Sequence, residues 1–365
     1  MNFTSRLQTL LLFTVWLMVC SLSVAQNNNN TDTRISTAQD VNHQQDLSRT
    51  LKSGLNDQQL VPEIAPGEME DTGPQVIVKR KVHRKLFEVN IDAEHYYTSN
   101  VFLQKDLPGN GPIDTSLQVS TVDIAYAPDA YDVGWGKLSP RIGHRYQWYN
   151  YSLESNHPNM NGISMNNYDF DAETLYANLD TKLESEIFGT DVFKDVVFST
   201  GYQWQRLMGH EPPQNDYYEF YREHTPTWGV SRDFPLQEKI LLSLSYGGAY
   251  RWTEADPPDR ERNDRLDESF TISYMQELYP RLTMQIYGQY LFSLYSKYKN
   301  LATDMDSHRQ DDTYSTGLTF QYTFNDWASV RSFISYDHRE TTTPNLVDRY
   351  DNFNGGVGGS LVFRF

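Results

Sequence analysis

The chain ends in Phe353 to Phe365, F-N-G-G-V-G-G-S-L-V-F-R-F, and this stretch restricts the fold more than any other. Counted back from the C-terminus, Phe365, Phe363, Leu361, Gly359, Val357, Gly355 and Phe353 form one face, with Arg364, Ser360 and Asn354 among the residues between. A period of two specifies a strand. An aromatic strand at a chain end frays unless it is tied down, and an apolar edge invites aggregation. A sheet closed on itself within a bilayer removes both problems, because it has no edge and lipid accepts the apolar face.

Alternating segments recur upstream at Ser329 to His338, Thr313 to Phe324, Leu282 to Leu294, Ser269 to Met275, Ile240 to Trp252 and Tyr218 to Phe234. Further back come Val196 to Leu207, Phe170 to Leu183, Arg141 to Leu153, Ser116 to Tyr126 and Lys85 to Tyr97. Their connections alternate between tight turns, such as Asn325-Asp326-Trp327, and long charged stretches, such as Thr253 to Leu266 and Arg339 to Tyr350. The expected fold is all-β, a transmembrane antiparallel up-and-down barrel of about 12 strands, with 10 or 14 as alternatives. Two links, Ala127 to Ser139 and Glu184 to Lys194, are long for turns. Ser116 to Tyr126 changes phase between Val119 and Val122, which suggests a bulge.

The N-terminal end is of another kind. Residues 1–25 combine Arg6, an apolar run from Leu10 to Val19 and Ser23-Val24-Ala25, the pattern of a secretory signal peptide cleaved after Ala25. The run is too short and too early for a spanning helix. Cys20 is the chain's only cysteine, so the mature protein has neither disulfide nor cysteine metal site. A lipoprotein reading of Cys20 suffers from Val19, where a small residue belongs. The formal charge of -17 argues against a nucleic-acid partner. Mean hydropathy of -0.64 is no objection to a barrel, whose strands are apolar on one side only.

No Phe, Tyr or Trp lies between Asn27 and Leu86, although the chain holds 7 Trp, 25 Tyr and 18 Phe. Residues 26–84, with their Asn run and Pro/Glu patch, cannot bury enough apolar surface to offset their ordering entropy, so a disordered periplasmic tail is expected before the barrel at 85–365. A short helix fits Asp46 to Leu55. The cluster Lys79 to Lys85 suits an interfacial basic collar, or alternatively a plug entering an acidic lumen.

The terminal strand, ending in Phe on an alternating face, resembles that of Gram-negative outer-membrane β-barrel proteins, and the whole is porin-like. The resemblance implies the cell outer membrane as location. It also implies outer-membrane lipids and the barrel-assembly machinery as partners, with Leu361, Phe363 and Phe365 as the assembly signal. Gln75 to Val78 bears a faint likeness to the coupling box of TonB-dependent transporters, whose globular plug this tail is too short to form.

The same phasing assigns faces. Leu242, Leu244, Tyr246, Tyr250 and Trp252 point to lipid, as do Leu282, Met284, Ile286, Tyr290 and Phe292. The inward phase holds Glu88, Asn90, Asp92 and Glu94 on the first strand, with Arg141, Arg145, Arg251, Arg331 and Arg364 elsewhere. Tyr149, Tyr151, Gln285 and Tyr287 join them. Separated acid and base rows set up a transverse field across a pore, while the plainer alternative has the groups pair and fill the lumen. If the first strand closes against the last, Arg364 lies beside Glu88.

Candidates for chemistry are weaker. Asp304, Asp306 and His308 resemble part of the omptin dyad, without a clear match for its second acidic pair. His144 and Ser152 share one phase, but eight residues of strand put them about 26 Å apart, beyond contact. Acid clusters at Asp304, Asp306, Asp311 and Asp312, and at Glu254, Asp256, Asp259 and Glu261, suit calcium in kind but lack the order of a calcium loop. The aromatic line Tyr149, Tyr151 and Tyr287 could stack on sugars. The leading expectation is a passive channel for small hydrophilic solutes, with no covalent step and no cofactor. The alternative is a structural or interaction barrel with a closed lumen and partner-binding loops, followed by a surface hydrolase.

Overall fold

The computed structural model describes residues 34–39, 41–42, 45, 85–101, 103, 113–152, 168–184, 193–211, 214–254, 264–296, 298–300, 305–307, 309–343 and 349–365. In chain order its strands are β1 (Phe87–Thr98), β2 (Thr115–Tyr126), the two-residue β3 (Tyr131–Asp132), β4 (Gly136–Ser152), β5 (Phe170–Leu183), β6 (Val196–Glu211), β7 (Gln214–Gln237) and β8 (Ile240–Glu254). They continue with β9 (Arg265–Tyr279), β10 (Leu282–Tyr295), short β11 (Tyr298–Asn300) and β12 (Met305–Ser307), then β13 (Gln310–Asn325), β14 (Ala328–Thr341) and β15 (Tyr350–Arg364).

The long strands pair antiparallel with their sequence neighbours, β2 pairs β4, and β1 pairs β15, so the sheet closes into a ring of 12 strands. At the seam, the register runs from Glu88 opposite Arg364 to Thr98 opposite Asn354. The chain end is tied down: Phe365 O accepts from the amides of Leu86 and Phe87, and Phe365 N donates to Phe87 O. β11 and β12 form a separate hairpin between β10 and β13.

Tight turns gather at one end. Asn325 Oδ1 accepts from the amides of Trp327 and Ala328 at 3.0 and 2.9 Å, an Asx turn that reverses the chain from β13 to β14. Arg281, at φ 73°, turns β9 into β10. The link from Ala127 to Ser139, long for a turn, folds into a small hairpin in which Tyr131 and Asp132 pair with Leu138 and Lys137. Gly134 adopts φ 84° at its tip, where its amide donates to Asp132 Oδ1. The turn end also carries the start of β1 and the end of β15. The opposite, loop end carries the longer connections, and β7, with 24 residues, exceeds what a bilayer requires.

Outward residues are apolar and exposed, as at Ile142 and Val357, each 59% accessible, with Ile91, Leu175, Ile272, Ile286 and Ile334 in the same belt. Inward ones are polar and buried: Thr121, Asp123, Gln147, Gln285 and Glu223 are at most 1% exposed. This inside-out distribution suits a barrel immersed in lipid and no water-soluble one. Trp252 and Tyr250 stack edge to face on the outer surface, as do Tyr322 and Phe324 toward the turns.

The bulge expected in Ser116 to Tyr126 is absent. β2 pairs without a register shift, with Leu117, Val119, Thr121, Asp123 and Ala125 all buried inward. The sequence reads as a change of phase because Leu117 and Val119 are apolar residues on the lumen side, and the lumen there is occupied.

Candidate functional site: the barrel lumen

What fills it comes from the N-terminal segment. Residues 34–39, 41, 42 and 45 are helical and lie inside the barrel. Ile35, Ala38 and Val41, spaced three apart, form one stripe and pack with Leu117, Val119, Tyr149, Tyr151, Phe170, Ala172 and Leu207 in a single apolar cluster. Gln39, Asn42 and Gln45 form a second, polar stripe. Gln39 Oε1 accepts from Arg265 (3.2 Å), Asn42 Oδ1 accepts from Arg145 (2.8 Å), and Gln45 Nε2 donates to Thr121 (3.0 Å) and Asp92 (3.4 Å). Arg34 is buried against the rings of Phe220, Tyr168 and Phe170, its guanidinium carbon 4.8, 5.6 and 5.9 Å from their centroids. The tail's composition denies it a core of its own, and this part of it borrows the barrel's. The helix proposed at Asp46 to Leu55, the signal peptide and the basic residues 79–84 lie outside the described residues.

The helix has a direction. Arg34 meets the loop-end residues Tyr168, Phe170 and Phe220, Gln39 meets Arg265 at the loop end of β9, and Gln45 reaches Asp92 and Thr121 halfway down β1 and β2. The segment therefore descends from the loop end toward the turn end.

Below and beside the helix the charged residues interlock. Glu88 accepts from Arg141 (2.9 Å) and from Arg364 (2.7 Å), the pairing expected from closure. Asp123 binds Arg145 (3.3 Å) and lies 3.6 Å from Arg141, and it accepts from the Tyr176 hydroxyl (2.7 Å). Arg331 is bidentate on Asp92 at 2.7 Å and also donates to Glu94 at 2.6 Å. Arg251 bridges Glu223 and Asp267, which also accepts from Arg265. Acid and base rows standing apart, expected from the phasing, are thus replaced by paired groups. Inward side chains on neighbouring antiparallel strands lie within reach of one another, and in a lumen of low dielectric a close pair is favoured over two separated charges.

Two glycines of the last strand make the seam pairs possible. Glu94, Gly358 and Arg331 stand in register across β1, β15 and β14, and so do Tyr96, Gly356 and Phe333. A Cβ on Gly358 would lie 3.0 Å from Arg331 Cζ and 3.1 Å from Glu94 Cβ, and one on Gly356 would lie 2.3 Å from Tyr96 Cβ. With no side chain between them, β1 and β14 touch over β15, and the rings of Tyr96 and Phe333 come to 5.9 Å.

Of the residues assigned inward, Glu88, Asp92, Glu94, Arg145, Tyr149, Gln285, Tyr287 and Arg331 are buried, and Arg141 and Arg251 are partly so. Arg364 is the most open, with a side chain 63% accessible at the turn end. Leu361, Phe363 and Phe365 face outward, Phe363 stacking on Trp327. Tyr149 stacks flat on Phe170 with centroids 4.3 Å apart, so its face is not open to a sugar. The partners Asp123, Tyr176, Glu223, Arg265 and Asp267 escaped the sequence reading, although each shares the inward phase of its strand. The helix signal was also present, as Ile35-x-x-Ala38-x-x-Val41.

The weaker candidates disperse. His144 pairs with Glu173 on the outer surface, and Ser152 is at the far end of the same strand. Asp311 is held by Arg309, and Asp312 by Tyr290 and Gln310. Glu254 meets Arg222 and His224. The side chains of Asp304, Asp306 and His308, and residues 255–263, lie outside the described part. Among the described residues no three His, Cys, Asp or Glu side chains are grouped to hold a metal.

No protein-family model matches the chain, and no curated protein matches it. Solved structures similar to it include an outer-membrane channel from Pseudomonas putida F1, with 10% identity, coverage of 76% of this chain and 96% of that one, and a TM-score of 0.46. The β domain of the Bordetella autotransporter BrkA has 8% identity, coverage of 77% and 100%, and a TM-score of 0.41. The transport unit of the Escherichia coli autotransporter AIDA-I has 10% identity, coverage of 80% and 93%, and a TM-score of 0.42.

Proposed function

We propose that the protein is an outer-membrane channel for small hydrophilic solutes whose bore is occupied at rest by its own segment 34–45. One observation carries this reading: the barrel holds an α-helix, so the helix gauges the bore. A helix with its side chains is about 10 Å across. Over the helix's own length its removal leaves a passage of that width, walled by the apolar Leu117, Val119, Tyr149 and Phe170 and by the polar Asp92, Thr121, Arg145 and Arg265. The outward belt supports a bilayer location, and the signal-like start of the chain supports export to the outer membrane, where outer-membrane lipids and the barrel-assembly machinery are the partners. On this orientation the turn end faces the periplasm and the loop end the exterior. The reading includes no covalent step and no cofactor.

A second reading, an interaction barrel with a permanently closed lumen, draws on the buried Arg331, Asp92 and Glu94 cluster, which ties β14 to β1 whether or not the helix is present. Planar-bilayer recordings separate the two. Deleting residues 34–45 should give discrete conductance steps that scale with salt, against small or noisy currents from the full chain. Silence from the folded deletion variant overturns the channel and favours the closed barrel.

A further inference from the structure

The loop half of the lumen contains a cavity, bounded by Thr37 and Val41 of the inner helix and by the wall of β1, β10, β13, β14 and β15. Asp337 lines it and is 7% exposed. The carboxylate accepts from Asn354 Nδ2 at 3.2 Å and from the Ser315 hydroxyl. Its situation is singular. The other buried strand carboxylates, Glu88, Asp92, Glu94, Asp123, Glu223, Asp267 and Asp311, each meet an arginine, whereas Asp337 meets no cation among the described residues. Glu94 lines the same cavity, and the Arg331 beside it is already shared with Asp92. Among the described residues that line the cavity there are thus two carboxylates and no Lys, Arg or His.

A buried carboxylate without a counter-ion is unfavourable, and a ligand that brings the counter-ion relieves it. The remaining lining defines which cation fits. Gln289, whose Nε2 donates to Thr271, has its amide oxygen left for an N–H donor, and the rings of Tyr96, Tyr151, Tyr287 and Phe333 offer apolar faces for a carbon skeleton and π-faces for a cation. A hard metal ion such as calcium or magnesium prefers an all-oxygen shell without four rings in it. We infer that this cavity binds a small aliphatic amine, its ammonium against Asp337 and its carbon chain against the rings. The inference goes beyond the channel reading and does not require it, since binding at equilibrium needs no conduction.

The test is calorimetric titration of the full chain, folded in detergent, with putrescine and with its uncharged isostere 1,4-butanediol. Putrescine should bind and butanediol should not. Asp337→Asn keeps the shape of the side chain and should weaken putrescine at least about thirtyfold, as expected when one partner of a buried charge pair is removed. Its fold is checked by heat-modified gel mobility. Should Asn fail to fold, Asp337→Glu, which keeps the charge but lengthens the arm, replaces it and should alter the affinity. No putrescine binding, equal binding of butanediol, or an unchanged affinity in the folded variant overturns the site.

Discussion

Arg331 of β14 donates to Glu94 of β1 at 2.6 Å although a whole strand lies between them, and it does so over Gly358. The contact locks the first strand of the barrel to the penultimate one, so the seam is held on two strands and not on one.

Gly358→Val places a side chain where the guanidinium crosses. It should strand a buried charge and cost roughly 3 kcal/mol or more, seen as a lower denaturant midpoint for unfolding from lipid vesicles. Gly359→Ala, on the outer face with its nearest atoms at 3.8 and 4.0 Å, should change the midpoint by no more than about 0.5 kcal/mol. Equal effects at both positions would contradict the crossing.

The closing pair predicts an asymmetry. Arg364 is exposed and contributes at most about 1 kcal/mol through Glu88, so Arg364→Glu should be mild. Glu88→Arg should be worse, because it also confronts Arg141. The double reversal should recover only the Arg364 share, measured by heat-modified gel mobility across a denaturant series.

On the lipid face, Ile286→Arg and Leu244→Arg should each cost about 2 to 4 kcal/mol near the bilayer midplane. Neighbouring Gln285, buried on the other side of the same strand, gives the control: Gln285→Asn, polar and uncharged, should leave insertion into vesicles intact. Tolerance of both arginines would invert the assignment of faces.

For the inner helix, Ala38 is fully buried against the wall. Cys20 is the chain's only cysteine, so in a chain prepared without residues 1–25 Ala38→Cys provides a single thiol. It should resist maleimide, and adding Ile35→Asp and Val41→Asp should make it reactive within the same barrel. A thiol that reacts equally in both backgrounds would show that the apolar stripe does not hold the segment.

Period two along Leu282 to Leu294 or Ser329 to His338 displayed strand and face directly, and the terminal alternation led to the partner of Arg364. These features are local, repeating every second residue. Pairings such as Arg331 with Asp92 were not legible, because they depend on which strand neighbours which and on a glycine between them. Val119 misled for a related reason: an apolar residue in a polar phase looks like a bulge until the helix it clusters with, some eighty residues away, is known. The helix itself was readable as Ile35, Ala38 and Val41, but its neighbours are so polar that composition pointed to a tail.

The inner helix and the seam together make the chain a lasso. Residues 34–39, 41, 42 and 45 precede β1, yet the ring that surrounds them is completed only when β15, the last strand, pairs with β1. A closed hoop can acquire such a core in two ways, by zipping shut around it or by having it threaded through an open end. Zipping needs no threading step, and it gives the segment a part in assembly: a mandrel on which the curling sheet finds its circumference before Glu88 and Arg364 meet.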